Sequence, residues 1–354
     1  MKIPASHLAL LCFTLGVAQC NGKPRAEKAA HKTLTGMGKM QTDVFGMDSR
    51  DYFTDPGKTF SDVGYRMADS GQQGLLLGGP DYVAYEKDAR FPVSCLNVAE
   101  ALELRDYGFR SYSLIAAVDL VTGAFYADHL IEQRFKKVER DPNASPPPPG
   151  ISFEGSAGDL FARLEIPRRS AEYLITGLLL DRASNRVKIR VGSEAARADD
   201  VRFAAEVVDA SKAPPPQHSQ LRTRSLVQEP GSPLLPVAPG IHAAVLPPRK
   251  PFTQQEALDL RVAYTLPHPR IQPGGKPASE IVFHILCTGT RVATPVIKRV
   301  VVPILPANRT PDGALQGFFS LDVNQGHNLE GNQAYSIYLF SGEHLGALPK
   351  VDVP

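Results

Sequence analysis

Neither sign of charge is in excess in this chain: 39 Lys and Arg stand against 37 Asp and Glu, a formal net charge of +2. A balance this even excludes broad electrostatic capture of nucleic acid, which needs concentrated positive charge to displace counterions. Cysteine is scarce as well. Of the four, Cys12 and Cys20 lie at the N-terminus, and Cys95 and Cys287 stand far apart. A bond between the last two would need close approach of distant segments, so no disulfide framework is expected and both read as small buried hydrophobes on strands. Long apolar runs are lacking: no stretch reaches the roughly 20 residues that a spanning helix requires. Tryptophan is absent. The familiar catalytic signatures are also missing, with no G-x-S-x-G elbow, H-E-x-x-H, Walker loop or C-x-x-C. No enzymatic activity, cofactor or metal is therefore expected.

What is present begins with an export signal. Met1-Lys2 is a small positive region, Leu8 to Ala18 an apolar one, and Gln19 to Lys23 a polar one. That order marks a secretory signal peptide over residues 1–20. Cys20 directly after the apolar run resembles a bacterial lipid-attachment cysteine, but Gln19 departs from the small residue that pattern wants. Ordinary secretion is thus the expectation, and a lipid anchor at Cys20 the alternative and the sole route to a membrane.

A six-residue phrase occurs twice, as Glu100-Ala101-Leu102-Glu103-Leu104-Arg105 and Glu256-Ala257-Leu258-Asp259-Leu260-Arg261. Further landmarks follow each copy in the same order. An apolar run ends in Thr-Gly at Gly123 and Gly289. A proline-bracketed loop carries Asn143 or Asn308 in an Asn-x-Ser/Thr site. A tyrosine-led strand then opens at Tyr173 or Tyr335. This predicts an internal duplication of long period. Leu258, Leu260, Val262 and Tyr264 alternate with polar or small residues, a period of two, so the repeats are read as β. Thirty-one prolines and 29 glycines suit many turns between short strands.

The expected organisation is a poorly ordered segment over 21–74, a first β-sandwich over 75–198, a proline-rich linker over 199–235 and a second β-sandwich over 236–354. Within the linker, Val201 to Val208 reads as either a strand or a short helix. Leu160 to Ile166 is expected as a strand, Arg182 to Asn185 as a hairpin turn, and Gly155-Ser156-Ala157-Gly158 as a flexible turn. In strand count and tyrosine-led closing strands, both repeats resemble immunoglobulin-like or fibronectin-III-like modules. That resemblance implies an all-β fold, with tyrosine rings in the core and their hydroxyls bonded to nearby backbone, but no activity, because such sandwiches host many functions.

Few residues stand out as chemistry. Asp119, Asp128 and Glu132 are the one local acid cluster to inspect for the paired carboxylates of a glycan hydrolase. His129 follows Asp128, but strand neighbours point to opposite faces. His284 reads as a surface-facing or hydrogen-bonded strand residue. Asp322 to Glu330 has alternate oxygen donors without the glycine and closing-acid spacing of a calcium loop, so it reads as a polar inter-strand loop. Asn143 and Asn308 are glycosylation candidates if the source is eukaryotic. The expected function is a non-enzymatic, secreted or envelope-associated protein whose tandem sandwiches bind a protein or another extracellular component. The alternatives are a glycan-acting hydrolase or its accessory module, and a structural spacer. Exposed aromatics on one sheet face would favour glycan binding, a bare hydrophobic edge would favour protein binding, and neither would favour the spacer.

Overall fold

Alternation in single strands carries over directly into burial. Along Asp259–Leu266, the side chains of Leu260, Val262, Tyr264 and Leu266 are buried while Arg261 is exposed and Ala263 and Thr265 are half-buried. Such a strand covers a core with one face and meets water with the other. A computed structural model of the chain describes residues 64, 73–88, 90–100, 113–129, 133–134, 150–179, 182–210, 212, 218–221, 223–225, 239–245, 258–267, 278–289, 295–324, 329 and 333–353. Residues 1–20 with Cys20, nearly all of 21–74, Leu102, Leu104, Glu132, Asn143 and the prolines at 214–216 lie outside them.

The fold is all-β. In the first half the strands are β1 (Gly74–Gly78), β2 (Tyr82–Ala84), β3 (Pro92–Glu100), β4 (Ser113–Asp119), β5 (Phe125–His129), β6 (Gln133–Arg134), β7 (Ile151–Asp159), β8 (Ala171–Leu179) and β9 (Arg182–Gly192). They form two sheets, ordered β1-β3-β7-β6 and β2-β9-β8-β4-β5. Leu75, Leu77 and Val93 of one sheet pack against Ile115, Tyr173, Ile175 and Ile189 of the other. The second half holds β10 (Ser219–Leu221), β11 (Thr223–Ser225), β12 (Gly240–Val245), β13 (Asp259–Leu266), β14 (Glu280–Gly289), β15 (Val296–Pro303), β16 (Leu315–Asp322), β17 (Gln333–Ser341) and β18 (His344–Val353). Its sheets run β11-β16-β13-β12 and β10-β15-β14-β17-β18. Leu260 and Leu258 are both buried, and Phe283 lies 4.9 Å from Phe319 and 5.4 Å from Tyr264 at the centre of this second interior.

Taken in chain order, β1, β3 and β7 stand in their sheet as β12, β13 and β16 do in theirs, and β5, β4, β8 and β9 stand as β15, β14, β17 and β18 do. The tyrosine landmarks coincide: Tyr173 pairs with Asp119 at the end of β4, and Tyr335 with Gly289 at the end of β14. Of the six-residue phrase, Glu100 in the first copy and Leu258 to Arg261 in the second are described: Glu100 closes β3, whereas Asp259 opens the corresponding β13. The likeness of the halves is carried by strand order. One edge differs, since β2 adds in parallel beside β9 and β10 in parallel beside β15.

Several local expectations give way. Leu160–Arg163 is a single helical turn, α1, rather than a strand, because Asp159 Oδ1 accepts the N–H of Phe161 (3.1 Å) and of Phe91 (2.8 Å) and caps it. Gly155 to Gly158 is no turn but part of β7, paired on one side with β3 and on the other with β6. The β8–β9 turn lies just before the expected place, since Leu179 already pairs with Arg182. Asn185 is freed to stitch β1 to β9: its Oδ1 accepts Leu77 N–H at 2.8 Å and its Nδ2 donates to Leu77 O at 2.9 Å. Asp200–Ala210 is a helix, α2, started by Asp199, whose Oδ1 accepts Arg202 N–H at 2.9 Å. Within the stretch read as linker, β10 and β11 pair with β15 and β16. No helix among the described residues is long and apolar enough to cross a membrane.

Candidate functional site

Of the acids singled out in the sequence, Glu132 lies outside the described residues, and Asp119 and Asp128 do not meet. Asp119 is fully buried and holds the β4–β5 turn. Its Oδ1 accepts the N–H of Val121 (2.8 Å) and Thr122 (3.0 Å), its Oδ2 accepts the Thr122 hydroxyl (2.6 Å), and Arg169 lies 3.5 Å away. Asp128 pairs with Ile115, four residues along β4 from Asp119, which at strand rise is about 13 Å. Its carboxylate accepts the N–H of His129 at 2.7 Å. Two carboxylates so placed cannot flank one bond. Cys95 and Cys287 are free and buried, and burial pushes both thiols up to about 12. In the Asp322 to Glu330 loop, Asp322 Oδ1 accepts Asn324 N–H at 3.0 Å and Asn324 Oδ1 accepts Leu329 N–H at 3.1 Å, so these oxygens fold the loop on itself. Beside it the fully buried Lys298 donates to the Val323 carbonyl. Asn308 Nδ2, the atom a glycan would take, donates to Gln316 O at 3.1 Å.

What the fold brings together instead is a seam between the halves. On β4, Ile115 and Ala117 enter the first interior while Leu114, Ala116 and Val118 face the second half. On β14 and β17, Phe283, Ile285, Ile337 and Leu339 enter their own interior while Leu286, Tyr338 and Phe340 face the first half. Corresponding strands of the two halves thus present the same face to each other, the arrangement of an isologous dimer within one chain. At one margin the His284 ring stacks on Phe125, centroids 5.0 Å apart and planes 11° from parallel. Phe340 packs on Phe125 at 4.9 Å. His218 meets both rings edge-on, at 6.5 Å from Phe125 and 5.9 Å from His284, and its Nε2 donates to Phe125 O at 2.8 Å. His284 is therefore buried in the seam, contrary to its reading as a surface-facing strand residue; its packing is set by a partner strand in the other half. Burial, then the nearby His218 and Arg299, push its pKa down to about 3.

The other assembled feature is α2 on the β2–β9 edge. Phe203 packs on Tyr82, Ala84 and Ala196, and the Arg190 guanidinium lies 4.0 Å from the Phe203 ring centroid. Glu206 accepts from Ser170 Oγ (2.7 Å), from the Ser193 hydroxyl (2.5 Å) and from Ser193 N–H (3.2 Å). Burial works against this carboxylate, but those hydrogen bonds outweigh it and hold its pKa below the usual value. Arg169 donates to Ala210 O at the helix end. With its inner face so held, α2 turns Val201, Ala204, Ala205 and Val208 to solvent, Val201 83% and Val208 62% exposed. Their spacing of three, four and seven puts them on one face.

Sequence reasoning overlooked both features, although the seam left a signal. Ser113–Asp119 is buried at every position and Ala334–Phe340 at nearly every one, a continuous apolar run where a half-exposed strand would alternate.

No family model and no curated protein matches the chain. Among solved structures it is similar to the Streptococcus agalactiae AgI/II polypeptide BspA C terminal domain, at 7% identity over 77% of this chain and 94% of that one, with a TM-score of 0.17. It is also similar to the secreted serine protease VesC from Vibrio cholerae, at 10% identity over 82% of this chain and 54% of that one, with a TM-score of 0.15. Likenesses this slight carry no argument, and the architecture rests on the strand pairing itself.

Proposed function

We propose that this is an exported, non-enzymatic protein that binds another protein, with the outer face of α2 as a contact surface. The observation that carries the reading is the kind of apolar surface left in water. Among the described residues the exposed large hydrophobics are Val201, Val208, Val245 and Leu305; none is aromatic, and two share one helix face. Aromatic platforms would have suited a glycan, whereas an aliphatic stripe on a firmly seated helix suits an apolar groove on a protein partner. The glycan-hydrolase alternative draws nothing from Asp119, whose side chain is fully buried in a turn.

The pair Val201→Glu and Val208→Lys tests this. Both side chains are exposed, and the new charges match the helix dipole at each end, so stability should stay within about 0.5 kcal/mol. A photoreactive residue at 201 in the exported protein should yield a discrete protein adduct, and the double substitution should reduce partner retention at least tenfold. Equal retention by both proteins would rule out this face as the contact.

A further inference from the structure

We propose that the seam is acid-labile: protonation of His284, enclosed by Phe125 and His218, opens the two sandwiches from each other while each keeps its own fold. This goes beyond the binding reading and is independent of the face of α2.

The argument starts from what surrounds His284. Its ring is stacked on Phe125 of β5 and faces Phe340, its cross-strand partner on β17. These neighbours offer apolar surface alone. Among the described residues the charged or titratable groups facing it are His218, from the segment before β10, and Arg299, its cross-strand partner on β15. Both are of the kind that carries positive charge, and among the described residues no carboxylate stands opposite. An imidazolium placed here would be desolvated and repelled. His218 packs against it: its Nε2–H is committed to the Phe125 carbonyl, and its ring lies edge-on to Phe125 and to His284, 5.9 Å from the latter between centroids. The seam margin thus admits the His284 imidazole in the neutral form.

The direction follows from linkage. His284 is held down to about 3 in the closed seam, against roughly 6.5 for a solvated histidine, its value once the seam opens. A histidine depressed in this way favours the closed form fully above about pH 6.5, and the contribution drains away as pH falls towards 3. Over that window the opening equilibrium should rise about tenfold per pH unit for the one group. The interiors need not follow. Each has its own apolar set, Leu75 to Val191 in one and Ile241 to Val351 in the other, and neither set includes His218 or His284.

The test uses the mature full chain. Seam opening is followed by binding of an apolar dye across urea titrations at pH 7.5, 6.5, 5.5 and 4.5, with far-UV circular dichroism recorded alongside. Wild type should show dye binding before loss of strand signal, with an opening constant that rises about tenfold per unit below pH 6.5. His284→Phe keeps the stack on Phe125 and should change less than twofold over the same range. Should that variant fail to fold, the His284 ring resonances of the wild type decide: they should remain those of a neutral ring at pH 5 in the closed protein. Equal slopes for wild type and variant, a ring titrating near 6.5 in the closed protein, or dye binding that coincides with loss of all strand signal would each overturn the proposal.

Discussion

Replacing Tyr173 or Tyr335 by alanine should lower stability by about 3–5 kcal/mol, the range for deleting a large buried side chain and leaving a cavity. Both rings are essentially inaccessible, at 0% and 1% exposure, and each sits at the same place in its half. Tyr173 packs 6.1 Å from Phe91 and 6.3 Å from Tyr126, so its loss would unsupport two further rings. The phenylalanine substitution should separate ring from hydroxyl. The immunoglobulin-type expectation gives the hydroxyl a backbone partner, and Tyr173→Phe would then cost about 1 kcal/mol. In the structure the Tyr173 hydroxyl is buried with no hydrogen-bond partner among the described residues, and burial pushes its pKa far above the usual tyrosine value. An unsatisfied buried hydroxyl is a cost, so Tyr173→Phe should be neutral or gain up to about 1 kcal/mol. Urea titration of the full chain measures all three, the two Tyr173 variants on the first-half transition and Tyr335→Ala on the second-half one. A Tyr173→Phe loss as large as that of Tyr173→Ala would show that the hydroxyl, and not the ring, holds this site.

Asp119→Ala should cost about 3–5 kcal/mol although it removes no apolar contact of note. The carboxylate is the sole acid paired with the largely buried Arg169 among the described ion pairs, and removal of one partner leaves the other charge uncompensated. The turn residues Val121 and Thr122 lose their acceptor at the same time. Asp119→Asn retains an amide oxygen for those two N–H groups but gives up the charge, so its loss should be about half as large. Thermal unfolding of the three proteins orders them. If Asp119→Ala melted within 1 °C of wild type, the turn would not depend on this carboxylate, and the acid would again be free to be considered for chemistry.

Both outcomes bear on how far the chain could be read without its fold. The all-β character was legible, because Leu260, Val262 and Tyr264 alternate with Asp259, Arg261 and Ala263, and a period of two is a property of the strand itself. So were the β4–β5 turn at Val121-Thr122-Gly123 and the buried tyrosines, since turn chemistry and aromatic burial are local. Other features misled for an identifiable reason. The repeated Glu-Ala-Leu phrase, where it is described, falls at the end of β3 but at the start of β13. Leu160 to Arg163 has strand-like residues, but Asp159 caps it into a helical turn. Asp119 and Asp128 are close in number yet lie at opposite ends of one hairpin.

By itself, then, the sequence determined that the chain is all-β, which face of a strand such as Asp259–Leu266 is apolar, and that the halves share a pattern of landmarks. It misplaced Gly155 to Gly158, Leu160 to Arg163 and the strands β10 and β11. It also contained, in Leu114-Ile115-Ala116-Ala117-Val118 and Ser336-Ile337-Tyr338-Leu339-Phe340, the information that some strands are apolar on both faces. Only the tertiary structure decided what covers the second face. An apolar residue declares that it must leave water, because the hydrophobic effect is non-directional and names no partner. Which surface meets it depends on sheet order, register and the docking of one half on the other, and that docking joins residues more than a hundred positions apart, such as Phe125 and His284. His284 against Phe125 is the clearest instance: in the sequence a histidine within a strand, in the fold a buried ring stacked on an aromatic of the other half.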